Sequence, residues 1–388
     1  MNLNDLTAAL AGLSQANRPI RLRLAQRDGV LDDVLMVQHV SGGETICGGI
    51  EYRLLCVSLR ADLPLKELVA LPAAVEFVTD RGELHALCGI VAETAAGHSD
   101  GGLATYRLVL RDALALMDQR TNTRVFRQRS ELDIASVILD EWRQRNPVLA
   151  RAFDVDWSHV TGTYPAREFT MQHNESDAAF LRRLWQRRGI AWFIRPGSAS
   201  TPADADAPMH TLVLFDDGFR LEQNIAGTVR FHRDAATEER DAITAWGAVR
   251  SLRPGALARH SWDYVQARTM AANTASCIDQ GTMGNDFAAG LDDHLVEVPH
   301  AGSDGDDYRA LGELRMQRHE YESKRFQGEG SVRTLGVGQW FALAGHPEID
   351  RHPPTGREFI VTSLAIDAAN NLPKQLDDRV RRLFVASG

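Results

Sequence analysis

Alternating apolar and polar positions dominate the first third of the chain. Ile20, Leu22 and Leu24 point to one side of an extended segment, while Arg21 and Arg23 point to the other. That period of two is typical of a half-buried strand. Further strand-like runs follow at 34–40, 75–78, 84–91 and 106–110, and a longer run at 50–59 has apolar residues on both faces, which suggests burial on both sides. Six short strands with turn residues between them predict a small antiparallel barrel or sandwich.

The pattern changes to a helical period after residue 121. Ser130 and Asp133 have the spacing of a capping box, although Asp is a weaker partner there than Glu or Gln. The apolar positions that follow share one helical stripe: Ile134, Val137, Ile138 and Trp142. Asn146 and Pro147 end this helix because Pro lacks a backbone donor and restricts the residue before it.

A second helix is predicted after Ser176. Ser176 is its expected N-cap, and Asp177 lies in its first turn, where the helix dipole favours an acid. Its apolar stripe is Phe180, Leu181, Leu184 and Trp185. Gly189 follows at the position where a left-handed residue ends many helices. We expect a strand at 190–194 to pair with 212–215 across a polar loop at 197–208.

Strand patterns return in the last third. They lie at 229–231, 243–251, 328–335, 339–344 and 359–366, with a helix predicted over 307–323. Residues 265–305 are polar and weakly periodic, so we interpret them as an irregular insertion. Two sets of strands therefore flank a helical segment.

Composition narrows the possible classes of protein. The chain has 388 residues, enough for two or three domains, and its net charge of -9 argues against a general nucleic-acid binder. The four cysteines are scattered without a Cys-x-x-Cys: Cys47, Cys56, Cys88 and Cys277. The first three have the setting of small buried hydrophobes, which favours a reducing compartment. Residues 1–15 do not have the basic region of a secretory signal, and no run approaches the ~20 apolar residues of a membrane span.

The sequence contains few residues arranged as catalytic or metal-binding motifs. The sequence has neither a nucleophile elbow nor a Walker A loop. His319 begins a zinc-protease-like motif that lacks its second His, and the carboxylates of 304–307 lack calcium-loop spacing. Asp216 and Asp217 fit a turn at a strand end, as does His346 after a later strand.

One group of charged residues leaves two interpretations open. Glu168, Glu175 and Asp177 lie near Arg124 and Arg167 in the helical segment. Acid–base catalysis would require one carboxylate with a raised pKa inside a pocket. We favour helix capping and structural ion pairs. We therefore predict no catalytic, cofactor-binding or metal-binding residues, no cofactor, and a protein that is not an enzyme.

An ordered set of motifs resembles one known family. Arg124-Val125-Phe126, the two helices, Tyr164-Pro165-x-Arg167-Glu168-Phe169, Glu175-Ser176-Asp177 and Gly189-Ile190-x-Trp192-Phe193 occur in that order. This order resembles the N-terminal hub part of VgrG, the trimeric spike protein of bacterial type VI secretion, which is related to hub proteins of contractile phage tails. Further matching segments lie at 65–91, 106–126, 246–264 and 328–363.

The resemblance implies a fold and its boundaries. The expected class is mixed α+β, mainly antiparallel β, with two small β-barrels and a helix-containing insertion, as in a phage tail hub. The first barrel would occupy 1–120, and the helical insertion with its β-hairpin 121–225. The second barrel would occupy 226–264 and 307–388, interrupted by the irregular insertion at 265–306.

The resemblance also implies a function. Three copies would form a ring that adapts a hexameric Hcp tube to the spike. The alternatives are a tail hub of a contractile phage or phage-like particle, a hydrolytic tail-associated enzyme, and a monomeric effector adaptor. Expected partners are two further copies, an Hcp-like hexamer, the spike continuation and an effector or chaperone, without nucleic acid or membrane insertion. We expect the protein in the bacterial cytoplasm and then outside the cell without a signal peptide. Because relatives usually continue into a β-helix, the chain is expected to be a truncated or a naturally short hub.

Overall fold

The computed structural model describes residues 14–15, 17–26, 29–31, 33–100, 102–197, 209–233 and 240–371, with the backbone alone at 29–31. The predicted polar loop at 197–208 therefore lies almost entirely outside the described residues.

A rolled sheet of eight strands occupies the first part of the molecule. Its strands are β1 Ile20–Gln26, β2 Gly29–Leu31, β3 Met36–Thr45, β4 Gly49–Ser58, β5 Pro72–Val78, β6 Leu84–Ser99, β7 Ala104–Arg111 and the late strand β21 Ser363–Ala369. A short helix, α1 Leu65–Leu68, precedes β5. The strand order is β2-β1-β5-β6-β7-β4-β3-β21, and every neighbouring pair is antiparallel.

The sheet curls until its two ends approach each other. The side-chain amide of Asn370, just after β21, donates to Ile20 O of β1 at 2.9 Å and to Val37 O of β3 at 2.7 Å. Alternate residues of the strands point inward, and Leu54 and Leu108 are fully buried there. The six strands predicted between 20 and 110 are present, and they form a half-barrel.

The helical segment follows directly and shares the half-barrel's core. Its elements are α2 Ala113–Met117, β8 Thr121–Phe126, α3 Glu131–Arg145, α4 Leu149–Ala152, β9 Phe153–His159, β10 Thr170–Ser176, α5 Asp177–Arg188, β11 Ala191–Pro196 and β12 His210–Phe215. β8 pairs with β10, and β12 lies between β9 and β11. Trp185 of α5 and Trp192 of β11 are buried in the same apolar cluster as Tyr52 of β4.

The predicted helix ends are confirmed. Ser130 and Asp133 form a capping box on α3, and Ser176 accepts from Ala179 N at the start of α5. Gly189 ends α5 with a left-handed φ of 68°. The pairing of β11 with β12 is also confirmed.

Val137 is a correction to the predicted stripe of α3. The buried positions of α3 are Glu131, Ile134, Ala135, Ile138 and Leu139, which follow i, i+3, i+4, i+7 and i+8. Val137 falls beside that stripe and is 38% exposed.

The last part of the chain builds smaller sheets around a second core and a smaller third one. Its elements are β13 Gln223–Arg230, β14 Ile243–Arg250, β15 Ala256–Asp263, β16 Arg268–Ala275, α6 Thr282–Ala288, β17 Asp292–Val296, α7 Gly305–Ser323, β18 Lys324–Gly330, β19 Trp340–Ala344 and β20 Glu358–Ile360. The sheet orders are β13-β19-β20, β14-β18 and β16-β15-β17. Phe193 of β11 packs with Phe341 and Leu343 of β19, so this core adjoins the helical segment.

Four further expectations differ from the structure. The strand predicted at 328–335 lies earlier, as β18, and turns follow it. The single strand predicted at 359–366 is two strands. β20 pairs with β19, whereas β21 pairs with β3 of the half-barrel. The chain changes sheets between β20 and β21 because Val361, which lies between these two strands, is buried in the second core. Residues 265–306 contain β16, α6 and β17, whose small and polar residues gave only a weak period. Cys47 is exposed, since it occupies a turn at φ 60° rather than a strand.

The mixed α+β, mainly antiparallel class is confirmed by these elements. The domain boundaries remain a prediction. Ser363–Ala369 lies in the first sheet, although the proposed second barrel extends over it.

Candidate functional site

Asp177 is the centre of a buried ionic network in the helical segment. Its carboxylate accepts from Arg120 Nε at 2.5 Å, Arg124 Nη2 at 2.7 Å, Trp142 Nε1 at 2.9 Å and Gln172 Nε2 at 2.9 Å. The side chain is 0% exposed. Burial raises the pKa of Asp177, but these donors and the charge of Arg124 outweigh burial, so its pKa lies below the ordinary value.

This network joins elements rather than lining a reaction site. Glu141 of α3 bridges Arg120 at 3.0 Å and Arg124 at 2.8 Å, so one carboxylate from α3 and one from α5 hold the same two arginines. A carboxylate with a lowered pKa that accepts four donors cannot deliver a proton near neutral pH. The arrangement is suited to fixing α3, α5, β8 and β10 relative to one another.

A second ionic group links the helical segment to the last part of the chain. Arg188 of α5 lies 2.9 Å from Glu131 Oε1 of α3 and donates to Asp307 Oδ1 of α7 at 2.5 Å. The side chains of Arg188 and Glu131 are 5% and 0% exposed. Because both carboxylates share one guanidinium, α7 is tied to the first core through charge as well as packing.

The other sequence candidates serve local geometry. Asp216 accepts from Gly162 N at 2.6 Å and from Tyr164 OH at 3.0 Å, and Asp217 caps the turn at Phe219 N. Asp304 caps α7 by accepting from Asp307 N. His346 Nδ1 lies 3.3 Å from Glu348 N in a turn, as predicted.

The remaining candidates are dispersed. Glu168 is exposed, and Glu175 pairs with Arg183 at 2.5 Å. His319 Nε2 lies 2.8 Å from Asp293 Oδ2, which Arg315 also contacts at 2.7 Å. The Arg315 donor, together with His319, lowers the pKa of Asp293 to about 2 despite partial burial. Among the residues that the structure describes, no three His, Cys, Asp or Glu side chains converge as metal ligands.

Sequence reasoning missed a sheet face that none of the described elements covers. In β15, β16 and β17 the inward residues pack on α7, where Met270 and Ala272 meet Tyr308. Gly312 permits the approach, because a Cβ there would lie 3.0 Å from the Cβ of Ala272. The outward residues form what we call the open face: His260, Trp262, Thr269, Ala271, His294 and Val296.

The open face carries two large exposed apolar side chains among polar ones. Trp262 is 48% exposed and Val296 75% exposed. Tyr264, Val265 and Val298 extend the apolar area at its margin, with exposures of 61%, 71% and 73%. A contiguous exposed apolar patch commonly marks a protein–protein contact. The exposed apolar residues Trp262 of β15 and Val296 of β17 were the only signal of this face in the sequence. The polar residues around Val296 prevented β17 from being predicted as a strand.

These features define a class of protein. A half-barrel with a helical insertion, ionic networks that join elements, and an open sheet face describe a structural component that works through surfaces. The chain belongs to the phage tail baseplate hub (GPD) family, whose model matches residues 43–372.

Individual relatives agree with that assignment. The type VI secretion system spike protein VgrG1b of Pseudomonas aeruginosa is 26% identical over 342 residues, which cover 87% of this chain and 42% of that protein. The chain thus spans less than half of that relative. An E. coli component of the type VI secretion system superposes with a TM-score of 0.61 at 16% identity, covering 90% of this chain and 73% of the other. The 43 kDa tail protein of prophage MuSo2 from Shewanella oneidensis gives 0.57 at 13% identity, covering 90% and 95%.

The family resemblance stated from the sequence is therefore confirmed, and the fold is that of a tail hub. Within the described residues, none of the helices has the length and apolar character needed to cross a bilayer.

Proposed function

We propose that the chain is a hub component of a contractile injection machine of the type VI class. Three copies form a ring that adapts a hexameric Hcp-like tube to the spike. The open face is the observation that carries the proposal, because Trp262 and Val296 expose apolar area that a neighbouring copy would cover. Membership of the tail hub family supports the same role.

Ring closure accounts for several edges of the structure. β2, β16 and β17 are edge strands of their sheets, and β14 and β18 form a sheet of two strands. Unpaired strand edges invite pairing with another chain, and a closed cyclic oligomer gives each edge a defined partner. A ring that binds its neighbours through such edges and through the open face fits a mechanical adaptor.

A tail hub of a contractile phage or phage-like particle is the second candidate. It is supported by the family model itself and by the fold shared with the prophage tail protein. The two candidates differ in the tube that the ring would bind.

Under either candidate, the protein would start in the bacterial cytoplasm and leave the cell through the machine itself, without a signal peptide.

A binding experiment with tube proteins tests the proposal. The purified chain is mixed with the Hcp-type hexamer and, separately, with a phage-type tail tube protein from the same bacterium. We expect a complex of one trimer with one Hcp-type hexamer, measured by native mass spectrometry. Binding to the phage-type tube alone would move the assignment to a tail hub. A trimer that binds neither tube would contradict the adaptor role.

A further inference from the structure

Two histidines lie next to each other on the open face. His260 belongs to β15 and His294 to β17, and their ring centroids are 5.2 Å apart with an angle of 63° between the ring planes. His294 is exposed and His260 is half-buried, so both rings reach solvent. Within the part of the chain that the structure describes, neither ring makes a hydrogen bond or an ion pair, and the contact between the two rings is their shared interaction.

The register of the sheet brings these rings together. β15 and β17 run parallel, with His260 beside Val296 and Ala258 beside His294. The histidines are therefore diagonal neighbours on one face, a separation that long side chains can bridge. On the other side of β15, the residue opposite His260 is Ala271 of β16. The small side chains of Ala258 and Ala271 leave room for both rings above the sheet.

The distance between the rings matches that of two imidazoles on one metal ion. A Zn–N bond of about 2.0–2.1 Å at a tetrahedral ion holds the centroids of two coordinated rings roughly 5 Å apart. The observed separation of 5.2 Å agrees with that requirement. Exposed side chains turn about their bonds within nanoseconds, so each ring can direct one nitrogen at the ion without a change in the backbone.

The charges around the histidines favour a cation. The positions of β15, β16 and β17 that face the same way include neither Lys nor Arg. Asp292 lies on this face two residues before His294 and is exposed, so its carboxylate adds negative potential beside the rings. Arg259, the residue before His260, points to the opposite side of the sheet and is paired with Glu297. A cation at the two rings therefore meets no opposing charge on this face.

The two nitrogen donors select the chemical class of the ion. Imidazole is a good ligand for Zn²⁺, Cu²⁺ and Ni²⁺, whereas Mg²⁺ and Ca²⁺ take oxygen ligands. A tetrahedral ion with two protein ligands keeps two positions for water. The apolar area of the open face continues from Trp262 to Val265, away from Asp292, so the ion would lie towards the polar margin of the face.

We propose that His260 and His294 together bind one divalent transition-metal ion of the Zn²⁺ class, with water at its other positions. The site is formed within a single chain, so it goes beyond the proposed ring and does not depend on it. It differs from the expectation that no residue binds a metal, because the two histidines are far apart in the sequence and only the pairing of β15 with β17 brings them together.

Isothermal titration calorimetry with ZnCl₂ tests the site in the untagged full chain. The exposed thiols are removed from every sample by Cys47→Ser and Cys277→Ser, so that sulfur does not compete for the ion. We expect one Zn²⁺ per chain. A parallel titration with MgCl₂ should give no binding, because that ion requires oxygen ligands. Absence of Zn²⁺ binding, or Mg²⁺ binding of equal strength, would overturn the proposal.

Single substitutions localise the ion. His260→Ala and His294→Ala each remove one of the two nitrogen ligands, so each should weaken Zn²⁺ binding at least tenfold. The midpoint of thermal unfolding without metal should stay the same, because neither ring has a hydrogen bond to lose within the described chain. The matched control is His352→Ala, at an exposed histidine outside this sheet, which should leave binding unchanged. Undiminished binding in either of the first two variants would contradict the site.

Sedimentation velocity of the same samples separates this site from the proposed ring. A monomer that binds one Zn²⁺ through the two histidines would contradict the ring and retain the metal site. A trimer whose His260→Ala variant binds Zn²⁺ as tightly as the parent would contradict the metal site and retain the ring.

Discussion

At the scale of single residues, His210 shows how the fold depends on a protonation state. Its ring is 0% exposed at the start of β12, and Nε2 lies 3.0 Å from Ala113 N, so the neutral ring accepts that hydrogen bond. Burial lowers the pKa of His210 to about 4. The hydrogen bond anchors α2, which begins at Ala113, to the sheet of β12.

His210 therefore makes stability depend on pH in a predictable direction. The unfolded chain takes up a proton near the ordinary pKa of about 6.5, whereas the folded chain does so only near 4. Stability should fall as the pH drops from 6.5 to 4, by on the order of 3 kcal/mol from this residue. His210→Gln keeps an acceptor for Ala113 but cannot titrate. Urea unfolding at several pH values should show a shallower loss in the variant. Equal slopes would contradict this role of His210.

Several features at the scale of single residues could be predicted from the local sequence. The capping box at Ser130 and the left-handed Gly189 follow from the chemistry of a few adjacent residues, so they could be predicted. The four donors around Asp177 could not, because they come from positions 120, 124, 142 and 172, which only the tertiary fold brings together. The sequence suggested ion pairs there without indicating their partners.

At the scale of elements, the Asp177 network determines how α3 and α5 sit against β8 and β10. Asp177→Asn would leave Arg120 and Arg124 with less compensating charge in a buried site. We expect a loss of about 3–5 kcal/mol in the free energy of unfolding, as is usual when one partner of a buried ion pair is removed. Chemical denaturation measures it.

Glu175→Gln is the matched control for that change. Glu175 of β10 pairs with Arg183 of α5, whose side chain is 52% exposed. A solvated pair of this kind contributes about 1 kcal/mol or less. Similar losses in both variants would show that the Asp177 network does not have the stabilising role assigned to it.

Element pairing was harder to predict than element type. The alternation in β1 and β7 identified strands directly, because each has one face more deeply buried, whereas β4 and β5 were identified as apolar runs that are buried on both faces. The run at 359–366 looked like one strand, since the break at Val361 is itself apolar. Only its long-range partners, β19 on one side and β3 on the other, divide it into β20 and β21.

At the scale of the whole molecule, the two largest cores of the described chain meet at β11, where Phe193 faces the second core and Trp192 the first. The salt bridge of Arg188 with Asp307 ties α5 to α7, which packs on a smaller third core. The open face then lies on a supported sheet, because α7 packs against its reverse side.

Sequence reasoning identified the family without locating this surface. Motif order depends on residues that support the fold, and those residues lie mainly in the helical segment. The open face depends on which sides of β15 and β17 remain uncovered, and that follows from where α7 packs. The periodicity of 265–306 was too weak to reveal it.

The mass of the chain in solution tests the central claim most directly. Sedimentation velocity should show a species of three times the 42.9 kDa chain mass. Val296→Asp, which places a charge on the open face, should shift the protein to monomer without lowering its thermal unfolding midpoint. Val125→Asp, at another exposed valine, should leave the trimer intact. A wild-type protein that remains monomeric at all concentrations, or a Val296→Asp variant that is still trimeric, would contradict the account.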